Sequence, residues 1–421
     1  MRQTLLLLLL PAALLAADAR HPVAASTRPE EVGLSSARLE RATAEMRADV
    51  EAGRLPGALG LVARHGKVAY FETVGQADKE KGLAMAPDTI FRIYSMSKPI
   101  TTAALLMLHE EGKYRLTDPV SRYIPELKGR TVAEMNVFYP GDPKHMNRAG
   151  ANREITIQDL MRHTAGFAYG NTVATPVDVM YQEAKVLDAN ATLKTMIDRL
   201  AKLPLLYQPG EKWHYSIAVD VQGRLVEVLS GKPFDVFLRE RIFEPLGMAD
   251  TGFSVPKADQ GRFAQMYGLD DDKLSVADPE WSTRYLTPPA WKSGGGGLVS
   301  TAMDYFRFCQ MLLNGGELDG RRLLSRKTVE LMTRDHLAGV DPGRAASTGY
   351  GFGLGVAVHV DPAASGSAAS VGEYNWGGAA GTKFWIDPQE ELIGVYMIQI
   401  RPGGGRFGQI YKELAYQAIA D

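Results

Sequence analysis

The chain of 421 residues contains one cysteine, Cys309, so no disulfide framework and no thiolate-rich zinc site can be built within it. Its eight histidines never cluster at ligand spacing, and His109-Glu110-Glu111 lacks the second histidine of a zinc-protease helix. No metal and no other cofactor is expected. The formal net charge is only -2, with acids and bases interspersed, which leaves no electrostatic footprint for nucleic acid or an anionic membrane. No G-x-S-x-G occurs, so the nucleophile elbow of the α/β-hydrolases is missing. Internal repeats are absent, and low complexity is limited to short glycine runs. The longest apolar run, Leu5 to Leu15, falls short of the roughly 18 residues a membrane span requires.

That run follows Arg2 and precedes Ala16, Ala17 and Ala19, so residues 1–19 read as a secretory signal peptide, cut after Ala17 or Ala19. Export to the periplasm or beyond is expected, with a soluble mature chain and no stable membrane insertion. No cysteine follows the run, which excludes a lipid anchor there. Cys309 falls in the apolar helical stretch Tyr305 to Leu313 and reads as a small buried hydrophobe. Arg307, two residues away, lies on another helix face, poorly placed to activate a thiol.

Residues 20–421 read as one catalytic module. Ser35 to Val50 has helical spacing, and two strands, Ala58 to Arg64 and Lys67 to Val74, meet at the hairpin signal His65-Gly66. Comparable strands recur only near the end, at 355–360, 383–386 and 392–400, before an amphipathic helix from Gln409 to Ala420. Between them helical patterns dominate, most clearly at 157–162, 191–203, 216–229 and 301–313. The expected fold is α/β plus all-α: an antiparallel sheet built from both chain ends and flanked by helices (about 34–110 and 338–421), with an inserted helical lobe (about 155–337). A cleft between lobes is the expected pocket. Gly141 to Asn152 is polar and turn-rich and reads as a surface loop. The sequence leaves oligomeric state open.

Three places carry chemistry. Ser95-Met96-Ser97-Lys98 puts a hydroxyl and an amine one helical turn apart, so the lysine can fold back onto the serine. The strand-like Thr89 to Tyr94 precedes it and the buried helical run Pro99 to Leu108 follows, which sets Ser95 at a helix N-terminus, where unpaired N–H groups favour an oxyanion. Alone, the pattern also fits a helix cap with a solvated lysine. Tyr215, in Trp213-His214-Tyr215-Ser216 ahead of a helix, can aim a phenol across a cleft, where a neighbouring ammonium makes a phenol a better base. It equally fits an amphipathic tyrosine packed at an interface. His214 is an alternative base or a solvated loop residue. Trp376-Gly377-Gly378-Ala379-Ala380-Gly381-Thr382 lets a carbonyl approach the backbone closely, or is a plain turn before a strand. Gly403-x-Gly405-x-x-Gly408 lacks the acidic residue of a dinucleotide site, and Thr301-x-x-Asp304 reads as a helix-capping box.

In this order, Ser95-x-x-Lys98, Tyr215-Ser216 and Trp376-Gly377-Gly378 resemble the three motifs of the class C β-lactamase and penicillin-binding-protein superfamily. Leu55-Pro56-Gly57-Ala58, Asp88 to Ile93, Leu160 to Gly166, Pro245-Leu246-Gly247-Met248 and Gly294 to Thr301 look like that family too, with His163 a structural hydrogen-bonder. Two departures matter. The lactamase third motif begins with a lysine, a point charge suited to a carboxylate, and here stands Trp376, which can instead line an apolar pocket with Gly377 and Gly378. The lactamase second motif has an asparagine where this chain has Ile217. Both changes favour uncharged esters, and the pattern is similar to family VIII carboxylesterases. The resemblance implies a Ser95 acyl-enzyme, Lys98 and Tyr215 as a base pair, and an oxyanion hole from the N–H groups of Ser95 and Ala379. The implied partner is a small-molecule ester or lactam. A β-lactamase, a D-amino-acid peptidase and a non-catalytic cell-wall or ligand-binding module are the alternatives.

Overall fold

A computed structural model describes residues 26–134, 146–170, 175–277, 283–341, 343, 349–402 and 404–421. The leader at 1–19 and the first part of the expected loop, 141–145, lie outside the described residues. Eight strands form the main sheet: β1 (Gly57–Arg64), β2 (Lys67–Asp78), β3 (Leu83–Ala84), β4 (Tyr350–Phe352), β5 (Ala357–His359), β6 (Tyr374–Gly377), β7 (Lys383–Asp387) and β8 (Leu392–Met397). Their spatial order is β4-β5-β6-β7-β8-β1-β2-β3, and every adjacent pair is antiparallel. The sheet closes from both chain ends where β1 pairs with β8, Leu61 opposite Val395. His65 and Gly66 turn β1 into β2 with φ of 51° and 74°, the left-handed pair a two-residue hairpin requires.

Alternation along these strands feeds two cores. Leu59, Leu61 and Ala63 join Phe384, Ile386, Val395 and the central helices. Ala58 and Val62 join Trp385 and Tyr396 beneath α1 (Ser36–Glu51) and the C-terminal helix. On the inner side run α2 (Ser97–Glu110), α3 (Ala218–Ser230) and α4 (Ala302–Leu313), and the chain closes with α5 (Gly405–Gln417). Every residue of α2 from Ser97 to Leu108 is buried, as expected of a helix apolar on all sides. Ile100, Leu105 and Leu106 are 0% exposed, each contributing about 2 kcal/mol relative to solvent exposure. Thr102 Oγ1 of α2 donates to Gln222 Oε1 of α3 at 2.9 Å, so the two helices nearest the site are locked together.

Three expectations are adjusted. Within the stretch read as a loop, Asn147–Gly150 is a strand paired with Thr131–Glu134, a backbone-driven pairing that its polar side chains do not announce. Trp376 and Gly377, which open the stretch that also fitted a plain turn, belong to the interior strand Tyr374–Gly377, and the turn begins only after them. Finally, α2 begins at Ser97, and Ser95 lies in the 3-10 turn Tyr94–Met96 just before it. Among the described residues, no helix is long and apolar enough to cross a membrane, and no group of three or more His, Cys, Asp or Glu is placed to hold a metal.

Candidate active site

The turn bearing Ser95 is held from three directions. Ile93 N–H donates to Leu298 O at 3.1 Å, Leu298 N–H donates to Ser97 Oγ at 3.1 Å, and the Tyr305 hydroxyl of α4 donates to Met96 O at 2.9 Å. Tyr94 has a φ of 41°, a left-handed conformation costly for an aromatic residue and sustained only where its surroundings impose it. The 3-10 turn runs directly into α2, so Lys98, three residues on, lies one turn beyond Ser95 on the same face. Lys98 Nζ donates to Ser95 Oγ at 3.2 Å. Ser95 itself is only partly buried and lines a cavity of about 800 Å³.

Lys98 is 1% exposed. Its ammonium also donates to Gly295 O at 2.6 Å, lies 3.5 Å from the Tyr169 hydroxyl and sits 4.5 Å from the centre of the Tyr215 ring. Burial works to lower its pKa, but the neighbouring oxygens of Tyr169 and Tyr215 and the carboxylate of Asp220 outweigh that, and the net direction is upward. Lys98 is therefore an ammonium at neutral pH.

Tyr215 comes from 120 residues further along the chain, and its hydroxyl donates to Ser95 Oγ at 2.7 Å. Its ring is clamped by Tyr169, stacked at 5.4 Å and 20°, by His163 at 4.9 Å and by Trp376 at 5.5 Å. His163 is fully buried and holds the backbone that carries Tyr215: Ser216 N–H donates to its Nδ1 at 3.3 Å, and His214 N–H donates to its carbonyl at 2.9 Å. Burial, with the charge of Lys98, pushes the His163 pKa well below the ordinary histidine value, so it stays neutral and structural. His214 meets Tyr207 edge to face instead.

The third segment closes the cavity. Trp376 pairs with Phe384 across β6 and β7, and the turn beyond it is fixed by Gly378 N–H donating to Thr382 O at 2.7 Å. A Cβ on Gly378 would stand 2.5 Å from Ile93 O, so only glycine lets this turn lie against the Ser95 turn. Gly377, Gly378 and Ala379 consequently line the same cavity as Ser95. Much of the remaining wall is aromatic, formed by Tyr94, Tyr169, Tyr215, Tyr285, Trp291 and Trp376, and Arg284, Lys383 and Arg401 also reach the cavity.

All seven residues singled out in the sequence thus meet in one cavity or, for Lys98, directly beneath it. Two others belong with them and had gone unremarked. Tyr169 follows a segment of small residues with no chemical pattern of its own. Asp220 stands among the apolar residues at the start of α3, and an acid inside Ala218-Val219-Asp220-Val221 is the signal that could have found it. Away from the site, Cys309 is 0% exposed and burial holds its thiol well above the usual range. Thr301 caps α4 by accepting from Asp304 N–H, but Asp304 turns to Thr251 and the Asp250 backbone, so the reciprocal half of the capping box is replaced by a tertiary contact.

A serine with an amine and a phenol on its oxygen, in a sheet-and-helix frame of this order, defines a class, and comparison with known proteins agrees. A family profile described as Beta-lactamase matches residues 42–418, and the chain belongs to that family: it is a serine hydrolase of the β-lactamase/transpeptidase-like fold. An uncharacterized protein of Mycobacterium tuberculosis is 40% identical over 370 residues, covering 85% of this chain and 89% of its own. Esterase EstB of Burkholderia gladioli is 32% identical over 385 residues, covering 86% and 91%. The solved structure of EstCE1, described as a hydrolase with promiscuous acyltransferase activity, is 29% identical with a TM-score of 0.77, covering 90% of this chain and 99% of its own.

Proposed function

We propose that the protein hydrolyses small carboxylic esters through an acyl-enzyme on Ser95. The observation that carries this reading is the Ser95 oxygen holding the Tyr215 hydroxyl at 2.7 Å and the Lys98 ammonium at 3.2 Å on the wall of an aromatic cavity. Ser95 Oγ attacks the ester carbonyl while its proton passes into the Lys98 and Tyr215 pair, which has first given up one proton to solvent. The N–H groups of Ser95 and Ala379 hold the oxyanion. Collapse breaks the bond to the leaving oxygen, which takes the proton from the same pair and departs as an alcohol. Water then attacks the acyl-enzyme, again giving its proton to the pair, and releases the acid.

Trp376 in place of a cationic side chain supports an uncharged ester over a lactam carboxylate, and the similarity to two hydrolases, one named an esterase, supports the same choice. Residues 1–19 add the proposal of export, tested by whether the mature chain is recovered outside the cytoplasm with its N-terminus after Ala17 or Ala19. Turnover of a short-chain p-nitrophenyl ester, a chromogenic cephalosporin and a D-alanyl dipeptide tests the chemistry. Ester turnover that Ser95→Ala abolishes is the expected result. A large preference for the cephalosporin or the dipeptide would replace the esterase reading with lactamase or peptidase activity, and absence of any acyl-enzyme mass would leave a binding module.

A further inference from the structure

The mechanism above uses no carboxylate, yet one is buried just behind the lysine. Asp220, in the first turn of α3, is 2% exposed. It accepts a hydrogen bond from Ser293 Oγ at 2.6 Å and a longer one from Gly295 N–H at 3.4 Å. The strap Ser293–Gly295 threads between α2 and α3. A Cβ on Gly294 would stand 2.7 Å from Val219 O of α3 and 3.0 Å from Thr101 Cγ2 of α2. A Cβ on Gly295 would stand 2.6 Å from Asp220 Oδ2 and 3.5 Å from Lys98 Nζ. Carboxylate and ammonium therefore approach each other across the space that a side chain on Gly295 would fill. The same residue serves both: Gly295 gives its N–H to Asp220 and its carbonyl to Lys98. Thr101 Oγ1 pins the strap from the far side by donating to Gly294 O at 2.8 Å.

An acid in a first helical turn gains from the helix dipole while facing water. Buried, it must find hydrogen bonds and a counter-charge or be excluded. We propose that Asp220 is a positioning residue for the Ser95 site: through the Ser293–Gly295 strap it fixes the carbonyl that orients Lys98, and its carboxylate faces the ammonium beneath Ser95. This rests on Ser95 being the nucleophile, but not on the substrate being an ester. The charged and titratable groups facing the pair are few. They are Lys98 itself from α2, Tyr169 and the neutral His163 from the segment after Met161, and Tyr215 from the stretch before α3; the strap contributes none.

The test is the rate at which a fluorophosphonate labels Ser95, followed by intact mass between about pH 7 and about pH 11.5, a range that passes the ordinary lysine value of about 10.4, and paired with ester kinetics. In Asp220→Asn the ammonium loses its counter-charge, so Lys98 deprotonates earlier and the alkaline limb moves to lower pH by about one unit. kcat falls about tenfold or more, and KM changes less than about twofold. Ser293→Ala, which frees the carboxylate from the strap, shifts the limb in the same direction by less. A profile for Asp220→Asn that superimposes on wild type, with only thermal stability lowered, overturns the proposal. If that variant does not fold, an unshifted profile in Ser293→Ala overturns it. Wild type that takes the label but hydrolyses no ester defeats the esterase reading and leaves this test intact.

Discussion

Replacing Tyr215 by phenylalanine removes one oxygen from a ring that its neighbours already hold in place. The stack on Tyr169 at 5.4 Å, the contacts to His163 at 4.9 Å and Trp376 at 5.5 Å, and the Lys98 ammonium 4.5 Å from the ring centre are all independent of the hydroxyl. Folding stability should therefore change by less than about 1 kcal/mol. What disappears is the 2.7 Å hydrogen bond to Ser95 Oγ and the route by which the serine proton leaves and the alcohol is protonated. General acid–base assistance of this kind is worth about 10²- to 10⁴-fold, so kcat/KM on a short-chain p-nitrophenyl ester should fall about 10³-fold, or about 4 kcal/mol of transition-state stabilisation. KM should stay within about threefold, because the aromatic walls are unchanged. Intact mass after mixing should show slower acylation, and any acyl-enzyme that forms should persist, since deacylation uses the same group. Tyr215→Phe retaining more than about a tenth of wild-type kcat, with its fold intact, would refute the role given to the phenol.

Tyr169→Phe removes a hydroxyl that touches Lys98 only at 3.5 Å, so steady-state kinetics should show a smaller loss in kcat, about tenfold, with KM unchanged. Trp376→Ala deletes the ring that meets Tyr215 at 5.5 Å and Phe352 at 5.3 Å; comparing esters of increasing acyl length should show KM rising about tenfold for the longer apolar acyl groups and less for acetate. Asp304 is a stability test. Burial, against hydrogen bonds from Thr251 and Asp250, raises its carboxyl from 3.8 to about 7, so the folded state binds this proton more tightly than the unfolded chain. The contribution is complete below about pH 4 and is lost as pH climbs through about 7, an effect of up to about 4 kcal/mol. Denaturant unfolding at pH 5 and pH 8 should show a smaller decline in Asp304→Asn than in wild type, and equal declines would contradict the burial argument.

How much of this was legible in the sequence depends on how far each signal reaches. Apolar spacing located α1, α2, α3 and α4 to within about three residues because their buried faces repeat at helical period. The hairpin at His65-Gly66 was readable because left-handed φ angles demand such residues. β6 was not, since the alternation in Tyr374-Asn375-Trp376-Gly377 is only one period long and runs into a glycine-rich turn, and the segment becomes a strand because β5 and β7 flank it. Within the site, the proximity of Ser95 and Lys98 is a matter of local geometry. The meeting of Ser95 with Tyr215 is tertiary and entered only through the ordered motifs. Asp220 had no partner in the linear pattern, because Ser293 and Gly295 lie over seventy residues away.

Two buried lysines show why the wiring of Lys98 points to chemistry and not to architecture. Lys412 in α5 is as buried as Lys98, and the fold neutralises it by direct contact: its Nζ meets Glu373 Oε1 at 2.9 Å, with both side chains nearly inaccessible. Such a pair is fixed, since removing either charge strands the other. Among the described residues, no carboxylate comes within ion-pair distance of Lys98. Its immediate partners are a serine hydroxyl, a carbonyl and two phenols, while the carboxylate of Asp220 stands off across the gap left by the missing side chain of Gly295. Hydroxyls and phenols can give up or accept a proton where a carbonyl cannot, so this ammonium is stabilised without being committed to one anion. A lysine serving only to anchor α2 would gain from a contact like that of Lys412. Its absence beside Ser95, together with strain at Tyr94 and a glycine strap that leaves no room for a side chain, is what the proposed mechanism asks for: local stability given up in favour of a movable proton.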